Sequence, residues 1–213
     1  MKKSHFRLKR FFDVWFSLIG LSLLFPFFGV IALLIKLDSK GPVFFKQWRF
    51  GKNGRPFKIF KYRTLINNAP EIVSEDGTSV ILKNDPRLTR IGKFLRKYSI
   101  DEIPQLLNVL RGEMSLIGPR PEPVSKKGLF DPILLQKKLK VLPGMSGLAV
   151  IHGRNTLPLG KRLEYDIEYV NRMNLKMDFE IIFKTIVILF KPRGVFYEGQ
   201  KSTDIRSGKY RSS

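Results

Sequence analysis

Ser99-Ile-Asp-Glu-Ile-Pro-Gln-Leu-Leu-Asn-Val-Leu-Arg-Gly-Glu-Met-Ser-Leu-Ile-Gly-Pro-Arg-Pro121 is the stretch around which this chain is organised. Ile103, Leu106, Leu107 and Leu110 recur at i, i+3, i+4 and i+7, so its middle is expected to form a short amphipathic helix. Gly112 stands just beyond, where a helix stops. Two adjacent carboxylates, Asp101 and Glu102, stand at the front. Ser99-x-x-Glu102 has the spacing of a capping box, but that register carries Pro104 past the first turn, where its missing N–H costs a hydrogen bond. With Asp101 as N-cap, Pro104 falls where no intrahelical donor is needed. In either register Asp101 lies at a helix N-terminus, where the macrodipole favours its ionised form and phosphate oxygens bind.

Helix capping is the plain reading of an acidic pair. Two features of the surroundings point further. Arg87, Arg90, Lys93, Arg96, Lys97 and Arg111 place the acids in a field suited to a polyanion. The helix is followed by Gly118-Pro-Arg-Pro121, where two prolines restrict the backbone around one arginine. A stiffly held guanidinium is a natural phosphate clamp.

The pattern S-x-D-E-x-P-Q-L-x-N-V-L-x-G-x-M-S-x-I-G-P-R-P resembles the signature of the bacterial sugar transferases, the monotopic polyprenyl-phosphate phosphoglycosyl transferases. Further pieces of the chain resemble the same family. They are Gln47, Arg49, Gly51, Gly54 and Phe57, then Lys61-Tyr-Arg-Thr64, then Asp85-Pro-Arg-Leu-Thr-Arg-Ile-Gly. Pro143-Gly-Met-Ser-Gly…Gly153-Arg154 and Glu164-Tyr-Asp-Ile-Glu-Tyr169 complete the set, and the C-terminal region near residues 198–203 is similar to that of small family members. Phe25, Leu65, Leu142 and Val150 depart from the family's usual residues.

The bulk composition agrees with a polyanionic partner. A formal charge of +21 over 213 residues fits nucleic acid, an anionic membrane surface or phosphorylated substrates equally well. No cysteine is present, which excludes disulfides and thiolate metal sites.

The N-terminus narrows the choice. Val14 to Ile35 carries no charge, a run just long enough to cross a bilayer. Positive charge precedes it at Lys2, Lys3, Arg7, Lys9 and Arg10 and follows it at Lys36, Lys40, Lys46 and Arg49. The positive-inside rule then sets both ends on the cytoplasmic side, and Pro26 near the middle is where the helix is expected to break and return. Asp13, at the membrane edge, is expected to pair with Arg10. Gly51-Lys-Asn-Gly54 between aromatic and β-branched runs predicts a β-hairpin. Residues 67–84 read as a loop near the site, and residues 178–191 as an amphipathic helix of core or membrane interface.

The expected fold is therefore α+β: a mainly helical membrane-associated domain with a small β-hairpin and an N-terminal re-entrant membrane helix. The expected division is an anchor over 1–38, a catalytic domain over 39–203 and a basic tail over 204–213. The resemblance implies transfer of a phospho-sugar from a UDP-sugar to polyprenyl phosphate at the cytoplasmic face of the inner membrane. On it, Asp101 is the nucleophile and Glu102 the Mg2+ ligand, while Gln47, Lys61, Arg63, Arg96, Arg120 and Arg154 hold the phosphorylated substrates. Membrane lipids are expected partners, nucleic acid is not, and homo-oligomerisation stays open. The alternative is a membrane-tethered nucleic-acid-binding module, which explains the charge and the aromatics but gives Asp101 and Glu102 no role.

Overall fold

The apolar run folds into one helix, α1 (Lys3–Asp38), with Pro26 inside it. The computed structural model describes residues 3–192 and 194–197, so the expected domain limit at 203, the tail beyond it and the similarity at 198–203 lie outside the described residues. The break expected at Pro26 is not an interruption of the helix. Proline there removes one backbone hydrogen bond, and the body of the protein holds the helix on both sides of it. On the N-terminal side, Lys9 Nζ pairs with Asp178 Oδ2 at 2.8 Å, and Asp13 Oδ1 accepts from Ser115 Oγ and Leu116 N, both at 3.0 Å. On the C-terminal side, Ile35 packs with Tyr62 and Leu95, and Asp38 Oδ2 accepts from Ile91 N at 2.9 Å. Asp13, Ser17, Gly20, Leu24, Phe28, Ile31, Ile35 and Asp38 are buried or half-buried. Their three- and four-residue spacing makes one stripe along the helix. Phe11, Trp15, Leu23, Phe25, Phe27 and Leu33 on other faces are exposed.

The hairpin forms as its turn residues predict. Strands β1 (Phe44–Phe50) and β2 (Pro56–Tyr62) pair antiparallel, with Gln47 opposite Ile59. Asn53, at φ 57°, and Gly54, at φ 76°, make the left-handed turn between them. Phe57 and Ile59 point inward from β2 and pack on Val109 and Met114. The basic helix α2 (Arg90–Lys97) is capped by Thr89, whose Oγ1 accepts from Gly92 N at 2.9 Å.

Helix α3 (Gln105–Leu110) lies in the central stretch, with Pro104 as its N-cap. Asp101 and Glu102 belong to a separate 3-10 turn over Ile100–Glu102, so neither carboxylate caps α3. The inward residues also differ from the apolar stripe. Leu106 and Val109 are buried, but beside Gln105 and Asn108, while Leu107 is 38 % exposed. Asn108 is polar yet inside because it completes the edge of β2. Its Nδ2 donates to Lys58 O at 2.8 Å and to Glu113 Oε2 at 2.7 Å, and Phe60 N donates to its Oδ1 at 3.0 Å. Arg10 makes no ion pair with Asp13 and donates instead to the C-terminal carbonyls of α3, at 2.6 Å to Val109 and 3.0 Å to Leu110. Those are the acceptors that a helix end leaves unpaired.

A short parallel pair, β3 (Ser115–Ile117) and β4 (Gly144–Ser146), brings the Pro-Arg-Pro turn against the Pro143-Gly motif. Gly118 N donates to Ser146 O and Gly144 N to Pro119 O, at 2.9 and 2.8 Å. A Cβ on Gly144 would stand 2.1 Å from Gly118 N, so only glycine permits this backbone approach. Helices α4 (Pro132–Lys138), α5 (Leu148–Ile151), α6 (Leu159–Arg172) and α7 (Leu175–Phe190) close the body. Ile117, Leu148, Tyr169 and Ile181 form its largest core cluster.

Candidate active site

The turn carrying Asp101 and Glu102 faces an open cavity between β2, the Pro-Arg-Pro turn, β4 and α6. Glu102, Lys61, Arg120 and Arg154 all line it. Sequence expectation named these four, and the fold brings them together from residues 61 to 154 of the chain. Lys61 Nζ donates to Glu102 Oε1 at 2.6 Å. Ser99 and Arg154 are non-glycine residues in the left-handed region, at φ 56° and 55°, and Arg154 Nη2 donates to Ser99 Oγ at 2.5 Å. Each such conformation costs ~1–2 kcal/mol, and strain of this kind collects where a site must be held in one shape.

The two carboxylates sit in different surroundings. Burial works against the Glu102 charge, but Lys61 and then Arg120 outweigh it and hold the group at about 2. Asp101 is 4 % exposed and is not among the lining residues, adjoining the cavity through Glu102. Burial raises its pKa above the ordinary value, the nearby Glu102 charge adds to that, and Lys61, Arg96 and Arg154 oppose it. The pair is thus driven apart, with the negative charge kept on Glu102.

The other expected ligands stand elsewhere. Arg96 lies off the lining, donating to Thr64 Oγ1 at 3.1 Å, and reaches the site through its charge on Asp101. Gln47 does not face the cavity. Its Oε1 accepts from Arg49 Nη2 at 2.5 Å and so orients an arginine that does. Arg63 is outside the site, because its guanidinium is used up on the end of α1. It donates to Pro42 O, Ser39 Oγ, Lys40 O and Ser39 O at 2.6 to 3.0 Å. His152 is no base for this site, being off the lining, with Nδ1 2.8 Å from Leu148 O and its ring stacked on Tyr165.

Four residues that sequence reading did not assign to the site belong with it. Arg49, Arg162 and Asp166 line the cavity. Lys138 stands behind it, pairing with Glu122 Oε1 at 2.8 Å and Asp166 Oδ2 at 2.7 Å. Arg120 N donates to Asp166 Oδ1 at 3.3 Å, so this buried ionic group backs the Pro-Arg-Pro turn. The signal was present on α6, where Arg162, Asp166 and Tyr169 share one buried face at i, i+4 and i+7.

The sequence that builds this strongly basic cavity matches a known family over most of the chain. Residues 4–192 fit the sequence pattern described as bacterial sugar transferase. The chain belongs to the bacterial sugar transferase family. Among relatives, it is 41 % identical over 190 residues to the exopolysaccharide production protein PSS of Rhizobium leguminosarum bv. phaseoli, covering 84 % of this chain and 94 % of that one. It is 39 % identical over 199 residues to the exopolysaccharide production protein ExoY of Rhizobium meliloti, covering 88 % of each. A UDP-glucose:undecaprenyl-phosphate glucose-1-phosphate transferase of Klebsiella pneumoniae is 42 % identical over 189 residues, which is 84 % of this chain and 39 % of that longer protein. This sugar transferase thus has the span of the shorter relatives.

Proposed function

We propose that this sugar transferase moves a sugar phosphate from a UDP-sugar to polyprenyl phosphate, through a covalent phosphosugar on Asp101 and with release of UMP. It is a polyprenyl-phosphate phosphoglycosyl transferase. The observation that carries the reading is the cavity itself, where two ion-paired carboxylates, Glu102 and Asp166, sit among four arginines and a lysine. That excess of cations suits a diphosphate. The nucleic-acid alternative still leaves the carboxylates without a task.

Transfer begins with an Asp101 oxygen attacking the sugar-bearing phosphorus as the bond to the bridging oxygen breaks. Burial leaves the Asp101 carboxylate poorly solvated, which favours attack once it is ionised. Lys61, Arg120 and Arg154 reduce its repulsion from the phosphates. Among the described residues no group of three or more acidic, His or Cys side chains forms a metal cage. Magnesium held by one carboxylate and substrate phosphates fits instead, with Glu102 as that carboxylate, since Lys61 takes only its Oε1. The ion when bound neutralises diphosphate charge.

The membrane reading rests on the exposed apolar faces of α1 and of α7, where Phe179, Phe183, Ile186 and Phe190 are uncovered. Both ends of α1 held by one body support an anchor whose two ends lie on the same, cytoplasmic, side.

The test is a half-reaction. Enzyme mixed with UDP-sugar and no lipid acceptor is expected to release up to about one equivalent of UMP and to gain one sugar-phosphate mass. Asp101→Asn should lose both signals. Normal turnover in that variant removes Asp101 from the role.

A further inference from the structure

Arg162 is the least explained buried cation among the described residues. It is 9 % exposed and lines the cavity, and its side chain makes no hydrogen bond or ion pair among the described residues. Its Nε is buried without a partner, and so are Arg49 Nε, Gln105 Nε2 and Arg154 Nη1 on other residues lining the same cavity. All four atoms are N–H donors, and of these residues Arg154 is the one whose charge acts on Asp101. A buried donor left unpaired is costly, and a set of them on residues lining one space asks for a ligand rich in acceptor oxygens.

Arg162 answers to different charges from those around Asp101. The charges acting most on Asp101 are Lys61, Glu102, Arg96 and Arg154. Those acting most on Arg162 are Arg120, Glu122, Asp76 and Asp166. Glu122, Asp76 and Asp166 offset part of this charge, but none of them forms an ion pair or hydrogen bond with the Arg162 side chain among the described residues, and Glu122 and Asp166 are shared with Lys138. The cavity therefore has a second cationic region, joined to the first through Arg120.

Resting on the transfer reading, we infer that Arg162, with Arg49 and Gln105, binds the phosphate of the departing nucleotide, a site distinct from the one that later receives the acceptor phosphate. In the first half-reaction the Asp101 oxygen–phosphorus bond forms and the phosphorus–bridging oxygen bond breaks. The electron pair stays on that oxygen, which leaves as part of the UMP dianion. No proton is required, and the total charge is the same before and after. Arg162 meets the charge that develops on this leaving oxygen and its phosphate. The acceptor attacks only after UMP has gone, so it has no need of this group.

The experiment compares wild type, Arg162→Gln and Arg162→Lys in detergent with magnesium. UMP affinity is measured by titration calorimetry, the UMP burst by rapid quench, and discharge of the preformed phosphosugar enzyme by polyprenyl phosphate separately. Arg162→Gln is expected to weaken UMP about tenfold or more, as for loss of a hydrogen bond to a charged group, and to slow the burst. Discharge by the acceptor stays within about twofold of wild type, and Arg162→Lys recovers part of the UMP affinity. Unchanged UMP affinity with slowed discharge overturns the inference and gives the group to the acceptor phosphate. Equal loss of both half-reactions with a lowered Tm also overturns it, making Arg162 structural. Wild type that releases no UMP overturns the transfer reading and the subsite together. Release by wild type with unaltered UMP affinity in Arg162→Gln overturns the subsite alone.

Discussion

Asp101 and Glu102 are neighbours in sequence with opposite shifts, and single substitutions separate their tasks. Glu102→Gln keeps the shape of the side chain but removes the charge that Lys61 holds at 2.6 Å. Activity is expected to fall sharply and the magnesium midpoint to rise. Arg120→Lys loses the planar fork and is expected to raise the KM for donor with the magnesium midpoint unchanged. A magnesium titration of both variants checks this, and an unmoved midpoint in Glu102→Gln removes it as ligand. At this scale the sequence was informative wherever a residue's job is local or its motif is long. Glu102, Lys61, Arg120 and Arg154 converge as expected. Arg63 reads the same as these in a string of letters. Only the return of α1 to the end of β2 shows that its donors are spent on backbone carbonyls. Arg162 went unassigned for the converse reason. Beside Lys161 and Glu164 it has the look of a solvated face, but one residue along α6 turns the side chain from water to the cavity.

Among the elements, the hairpin and α2 were legible because their turn and cap residues act within a few positions. The break at Pro26 and the capping of α3 were not, since each is decided by groups far away in sequence. Arg10 satisfies the end of α3, and Asp76 Oδ2 accepts from Leu159 N at 2.8 Å to cap α6. The segment 67–84 owes its course to one buried pair at its exit. Arg87 donates to both Asp85 oxygens, at 2.8 and 2.6 Å, and also to Pro70 O and Val80 O. Burial works to raise the Asp85 pKa, but Arg87 and the backbone N–H groups of Arg87 and Leu82 override it and hold it below its ordinary value. A carboxylate lowered on folding stabilises the protein above its unfolded pKa and loses that contribution as pH falls through the folded value. Asp85→Asn is therefore expected to cost about 3 kcal/mol at neutral pH. The gap in Tm between variant and wild type should narrow as pH falls below about 4. A gap that is constant from neutral to acid pH denies the ion pair its stabilising role.

For the whole molecule, the formal charge of +21 and the uncovered apolar faces of α1 and α7 are the features on which the proposed membrane association rests. Topology is checked by cysteine labelling, which the absence of native cysteine makes clean. Arg7→Cys and Lys40→Cys, both at exposed positions flanking the apolar run, are expected to react with an impermeant thiol reagent only after cells are opened. Reaction of either in intact cells rules out a helix with both ends inside. The grip of Arg10 on the last carbonyls of α3 matters at this scale, because the turn bearing Asp101 and Glu102 leads directly into α3. On the proposed function, anchor and carboxylates form one ruler, with the height of the dyad above the headgroups set by where α1 floats. On that reading the acceptor's phosphate, tethered to its own chain in the leaflet, travels at a depth that the enzyme must match. Replacing α1 by an unrelated membrane helix would keep the protein on the surface yet hold the dyad at the wrong altitude.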